Sequence, residues 1–261
     1  MIVKVNRVTN EKEIKRLLSE GVDIIGVSLK LTENNSDFRA LNIEEIQNIQ
    51  REVSIPNLSL NLNINEYTKE DVLYVAQKLK PTSLNIFIEA SSICDVEKIN
   101  NQHLQTIKAI NDTRLDVISF GNGFGYDGPS AIPDCLRIYE NLKYEEVNID
   151  TLGSNSQQRI RSRKEWAKLL NIQEVDQSRL GDTILESITE SMKKRPFLVD
   201  DRNIEIVSVE QLNEIGATGV TMSISCKKEE SNKFRIANHI ASMKDFEKIL
   251  EITKRIKKYG S

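Results

Sequence analysis

Two hydrophobic periods alternate along the chain. Short runs rich in β-branched residues give way to stretches in which apolar side chains recur every three or four positions. The strand-like runs are IVKVN (2–6), DIIGVSL (23–29), LSLNLNI (58–64), SLNIFIE (83–89), LDVISFG (115–121), EEVNIDT (145–151), PFLVDD (196–201) and GVTMSIS (219–225). The helical patterns are EKEIKRLLSE, IEEIQNIQREV, KEDVLYVAQKL, VEKINNQHLQTIKAI, PDCLRIYENL, a long stretch from about Trp166 to Lys194, SVEQLNEIG and MKDFEKILEITKRIKKY. Capping residues agree with this reading. Thr9 and Asn10 precede the first helix, Gly21 follows it, and Thr68 stands before the third with Asp71 in its first turn.

Eight strand–helix units in about 250 residues predict a single-domain (β/α)8 barrel of class α/β over residues 1–261. An open doubly wound sheet is the competitor, and it lacks an early GxGxxG turn between a strand and a helix. No Pro/Gly/Ser-rich linker divides the chain. Three irregular segments follow strands: GNGFGYDGPS (121–130), LGSNSQQRIRSRK (152–164) and CKKEESNKFRIANH (226–239). In a barrel they belong to the face where the strands end. Asn6, Glu89, Asp150, Asp200, Asp201, Arg202, Ser223 and Ser225 stand at strand ends on that face. Such a polar ring is not what packing alone selects.

Composition narrows the partners. A net charge of −3 and an isoelectric point near 5.7 argue against nucleic acid. The longest apolar runs fall short of a membrane span. The N-terminus lacks a signal-peptide core, and Cys94, Cys135 and Cys226 show no CxxC spacing. The expectation is a cytoplasmic protein with a small-molecule ligand, without nucleic-acid or membrane partners, and of open oligomeric state. No nicotinamide or flavin fingerprint is present, so no cofactor is expected.

Each candidate also has a plain structural reading. Asp150 would cap its loop through backbone N–H groups. Asn6 would form a turn, Arg7 a salt bridge to a neighbouring strand-end carboxylate, and Arg39 a helix-start surface position. Asp200 and Asp201 would cap the next helix. Hard oxygen ligands suit Mg²⁺ or Mn²⁺, but no spacing motif supports a metal. His239, just before the last predicted helix, is a candidate acid/base group. The Gly-rich loop reads as turn chemistry or a lid, and Trp166 as a packing anchor.

Several stretches, in order, resemble the phosphoribosylanthranilate isomerase family, the barrel enzyme of tryptophan biosynthesis. VKVNRVTN is similar to its VKICGITN first strand. GVDIIGVSLK followed by SDFRALNIEEIQNI resembles its second strand and the SxR segment. VNIDTLGS and a later KEW resemble its LDT…GG…DW sixth unit, and SMKDFEKI the start of its last helix. The resemblance implies a barrel that opens a ribose ring with a cysteine base on strand one and an aspartate acid on strand six. It places Asp150 at the acid, Arg39 at the residue holding the anthranilate carboxylate, Asn6 at the cysteine and Arg7 at a glycine.

The departures matter chemically. An amide has no usable base near neutral pH, whereas a thiolate does. The phosphate-binding glycines after strands seven and eight correspond to VDDRNIEIVS and MSISCKK, which put Asp200 and Asp201 where a dianion would sit. The expected function is an isomerase or lyase acting on a small carboxylated metabolite, with Asp150 as general acid and Asn6 orienting. Arg39, Arg7, Asp200, Asp201, Ser223 and Ser225 would surround the substrate. The alternative is a non-catalytic barrel serving as a ligand sensor or interaction scaffold.

Overall fold

The structure is a computed structural model of the chain. It describes residues 1–31, 39–64, 66–89, 103–126, 140–148, 196–201, 209–214, 216–224 and 232–259. Eight parallel strands close in sequence order into a barrel, β8 pairing with β1. They are β1 (Ile2–Asn6), β2 (Ile24–Ser28), β3 (Leu58–Asn63), β4 (Ser83–Glu89), β5 (Asp116–Tyr126), β6 (Leu142–Asn148), β7 (Phe197–Asp201) and β8 (Gly219–Ser223). The described helices are α1 (Glu11–Ser19), α2 (Ile43–Glu52), α3 (Lys69–Leu79), α4 (Leu104–Asp112), α5 (Val209–Glu214) and α6 (Asn232–Tyr259). The fold is the TIM barrel that the alternating periods predict.

The helix ends follow local chemistry. Asn10 caps α1 by accepting from the Glu13 N–H at 3.0 Å. Asn42 and Glu45 form a capping box on α2, as Thr68 and Asp71 do on α3. After α1, Gly21 adopts φ +90°, its N–H bonding Leu18 O while Val22 N–H bonds Leu17 O. This Schellman closure needs the left-handed backbone that glycine adopts without strain.

Three boundaries differ from the periodicity. β5 continues to Tyr126, so residues 121–126 of the Gly-rich segment are strand, with Asn122 in register with Glu89. Alternating Phe124 and Tyr126 supply β-formers between the glycines. β6 begins at Leu142, three residues earlier than the predicted run. α6 is 28 residues long and begins at Asn232, so His239 lies within this helix rather than before it. The predicted helix around Trp166 lies outside the described residues.

Strand alternation divides the core in two. Val3 and Val5 of β1, Leu58, Leu60 and Leu62 of β3, and Val220 and Met222 of β8 belong to the apolar layer packed under the helices. The residues between them point into the barrel. Ile118 and Leu198 are buried but lie outside that cluster. Their polar neighbours in the interior make up the site.

Candidate functional site

β1 places Lys4 and Asn6 on its inward stripe, between valines that face the helices. Lys4 is fully buried, and its Nζ donates to Glu146 Oε1 on β6 at 2.6 Å; Glu146 is 2% exposed. Thr221 Oγ1 on β8 donates to the same oxygen at 2.7 Å. Asn85 Nδ2 on β4 donates to Glu146 Oε2 at 3.3 Å and to Asn61 Oδ1 on β3 at 3.1 Å. Five strands thus contribute to one buried polar network. Barrel interiors are ordinarily filled by bulky branched side chains. Burying two charges costs several kcal/mol each unless they are paired and further hydrogen-bonded; the two are paired here, and the carboxylate is further bonded by Thr221 and Asn85.

Asn6 is buried beside this network, its side-chain oxygen against Gly26 of β2. Ser223 ends β8 and is in register with Asn6. Asp200 of β7 is buried, on the stripe alternating with Val199 and Phe197, and pairs in register with Thr221. Asp201 closes β7. The strand ends thus bring Asn6, Asp200 and Ser223 to one rim above the Lys4–Glu146 pair. Asp150, Ser225 and Arg202 lie outside the described residues, as do the side chains of Asp201 and Glu89.

Arg7 directly follows Asn6 and has φ +64°. That left-handed conformation costs a non-glycine residue about 1–2 kcal/mol. The resemblance implies a glycine at this position, and the backbone here is one that glycine adopts without strain. The Arg7 carbonyl accepts a hydrogen bond from Arg39 Nε at 2.7 Å.

Arg39 is 7% exposed. One of its Nη atoms donates to both carboxylate oxygens of Glu13 at 2.7 Å and to Thr9 Oγ1 at 3.1 Å. Glu13 Oε2 in turn accepts from the Thr9 N–H at 2.9 Å. The guanidinium therefore clamps the β1–α1 turn to the segment before α2. These bonds commit it to protein partners instead of the exposed helix-start position of the plain structural reading.

Sequence reasoning missed Lys4, Glu146, Asn85, Asn61 and Thr221. The signal was present in IVKVN, where a lysine between two helix-facing valines must point into the barrel.

Elsewhere, a cavity of about 250 Å³ opens at the start of the strands, with Asp23, Asp116, Lys143 and Tyr144 in its lining. Its charges are already matched, Lys143 to Asp116 and Lys257 to Asp23, each at 2.6 Å. Burial raises the Tyr67 phenol well above its ordinary range, and its hydroxyl donates to Leu29 O at 2.7 Å. Among the described residues no three His, Cys, Asp or Glu side chains are grouped to hold a metal. Nor is any described helix long and apolar enough to cross a membrane.

A parallel eight-stranded barrel with a polar rim and an ionic interior defines the class. Among solved structures, the chain is similar to phosphoribosyl anthranilate isomerase from Thermus thermophilus, at 13% identity and a TM-score of 0.55 over 99% of both chains. It is similar to TrpF from Jonesia denitrificans, at 12% identity and 0.51 over 100% of both chains. A third neighbour is 2,3-dimethylmalate lyase of the PEP mutase/isocitrate lyase superfamily, at 11% identity and 0.54 over 100% of this chain and 84% of that one. No protein-family model matches the chain, and no curated protein matches it significantly. At these identities the likeness establishes the barrel fold.

Proposed function

We propose that the protein is an isomerase or lyase that uses acid–base chemistry on a small carboxylated metabolite at the barrel mouth. The observation that carries this reading is the buried Lys4–Glu146 pair with its Asn85 and Thr221 partners, directly beneath Asn6 and Asp200. Active sites of such barrels sit at the C-terminal ends of the strands, the end at which Asn6 and Asp200 stand. Structural neighbours bearing isomerase and lyase names support the reaction class.

In this reading Asp150 donates the proton and Asn6 orients the reacting group. Arg7, Asp200, Asp201, Ser223 and Ser225 border the ligand. Arg7 is the cation we assign to the ligand carboxylate. Arg39 acts through the turn it clamps, because its described hydrogen bonds go to Glu13, Thr9 and Arg7. Asn6 cannot abstract a carbon-bound proton, so the chain should not isomerise phosphoribosylanthranilate at a useful rate. Losing a general base costs about 10²- to 10⁴-fold.

The commitment of Arg39 to protein partners also favours a second reading, a ligand-binding barrel without turnover. One experiment separates the two. Asp150→Asn preserves shape and removes the proton donor. In the enzyme, turnover of a substrate found by metabolite thermal shift falls about 100-fold or more while its binding is kept. Unchanged biological activity in Asp150→Asn overturns the enzymatic reading and leaves the binder. Growth of a tryptophan auxotroph lacking the isomerase, rescued by the wild-type chain, would overturn the change of substrate.

A further inference from the structure

Asn85 stands inside the barrel on β4, 6% exposed. Its Nδ2 donates to two acceptors, Asn61 Oδ1 and Glu146 Oε2. Two acceptors on one side fix which end of the amide is nitrogen, since the reversed amide would set oxygen against oxygen. Glu146 is itself held by Lys4 and Thr221. The Asn85 side-chain oxygen is therefore aimed by hydrogen bonds running from β1, β6 and β8, and among the described residues it has no donor. Buried acceptors without donors are rare in native interiors.

The neighbouring wall repeats the pattern. Ser59 is fully buried on β3, two residues before Asn61, and its hydroxyl also has no partner among the described residues. In register with it on β2 is Gly26, over which the side-chain oxygen of Asn6 lies. The β3–β4 wall thus carries a hydroxyl and a fixed carbonyl that both lack partners among the described residues.

We propose that this wall binds a hydroxyl-bearing, uncharged part of the ligand, with Asn85 Oδ1 accepting from a ligand hydroxyl and Ser59 Oγ pairing with a second. The inference rests on the reading that the mouth receives a small molecule, and it names the part that enters deepest. An anionic group does not suit this position, because Asn85 turns the negative end of its dipole inward and the Lys4 ammonium is already paired with Glu146. The ligand's carboxylate stays at the rim. Asn85 is then the residue that selects a hydroxylated compound over its deoxy counterpart, since a site built to pair with a hydroxyl is left unpaired by the analogue that lacks it.

Ribitol, an uncharged polyol without a carbonyl, is the probe, with 1,5-pentanediol as the counterpart that lacks the inner hydroxyls. Saturation-transfer NMR on the full chain reads binding to wild type, Asn85→Leu and Ser59→Ala. Ribitol is expected to bind wild type, to bind Asn85→Leu at least about tenfold more weakly, and to outcompete the diol. Ser59→Ala removes a hydroxyl without a protein partner and so spares the fold; it is expected to weaken ribitol about threefold or more. No ribitol binding to wild type overturns the proposal. So does equal binding to Asn85→Leu, unchanged binding to Ser59→Ala, or a crystal soaked in ribitol that shows only a structural water on Asn85. If ribitol binds as expected while Asp150→Asn keeps full biological activity, the acceptor wall stands and the enzymatic reading falls. If turnover of a compound without hydroxyls is found, the enzymatic reading stands and the acceptor wall falls.

Discussion

The side-chain oxygen of Asn6 occupies the place that a Cβ on Gly26 would take, 2.1 Å from that position. The Asn6 Cα would lie 3.1 Å from the same point. The glycine on β2 therefore exists to admit the amide on β1. Gly26→Ala should destabilise the barrel by about 1–3 kcal/mol through overpacking. In an Asn6→Ala background most of that cost should vanish, leaving the tighter backbone contact. Urea unfolding of the four proteins measures the coupling. A Gly26→Ala cost unchanged by Asn6→Ala would contradict the relationship.

The Lys4–Glu146 pair makes an asymmetric prediction. Lys4→Met leaves a carboxylate buried without its cation and should cost about 3–5 kcal/mol. Lys4→Met with Glu146→Leu removes both charges and should recover much of the loss, because replacing a buried pair by apolar groups is often neutral. Denaturant midpoints at constant slope report this. A double variant as unstable as the single one would show that Asn85 and Thr221, left without their shared acceptor, cost as much as the lone charge.

Much of the fold was legible in the sequence because the strands announce themselves as β-branched runs. The register of the closed barrel was less so. Lys4 and Glu146 lie 142 positions apart, and only barrel closure brings β1 and β6 face to face across the interior. Residue type gave Asn6 and Asp200 as strand-end candidates, and the strand ends do bring them to one rim. Residue type could not say that Arg39 is tied to Glu13, because that contact depends on the path between β2 and α2. The early start of α6 was missed although Phe234, Ala237 and Ala241 stand at helical spacing, because the polar run CKKEESNK before them reads as a loop.

Arg7 stores backbone strain. Its φ of +64° suits glycine. Arg7→Gly should stabilise the fold by about 1 kcal/mol, less whatever the arginine side chain contributes. If Arg7 holds the ligand carboxylate, the same variant should lose binding while gaining stability. Thermal melts with and without ligand separate the two effects. A destabilised Arg7→Gly would mean that side-chain contacts outweigh the strain.

His103 supplies a pH dependence. Burial lowers its pKa from the ordinary histidine value, and its Nε2 has no partner among the described residues. The unfolded chain therefore takes up a proton at a higher pH than the folded chain. Stability from this group is fully present above the ordinary histidine pKa, near 6.5, and declines as pH falls through it toward the lower folded value. His103→Gln should flatten that decline between about pH 7 and 5. Melting temperatures across the range, for both proteins, test it; parallel curves would remove His103 as the cause.

Arg39 decides how the β1–α1 turn is held. Its Nε bonds the Arg7 carbonyl, and one Nη spans Glu13 and Thr9. The turn carries Asn6 and the strained Arg7, so the clamp sets the rim from behind. Arg39→Ala should cost about 2–3 kcal/mol, since it strands a mostly buried Glu13 carboxylate. Arg39→Lys should recover only part, because an ammonium cannot span the carbonyl and the carboxylate as the planar fork does. Glu13→Gln should cost less than Arg39→Ala, because the amide oxygen still accepts from Arg39 and from the Thr9 N–H. If Arg39 instead held the ligand, Arg39→Ala would abolish binding with little change in melting temperature. The ratio of the two losses, measured on the same preparation, distinguishes the clamp from the ligand contact.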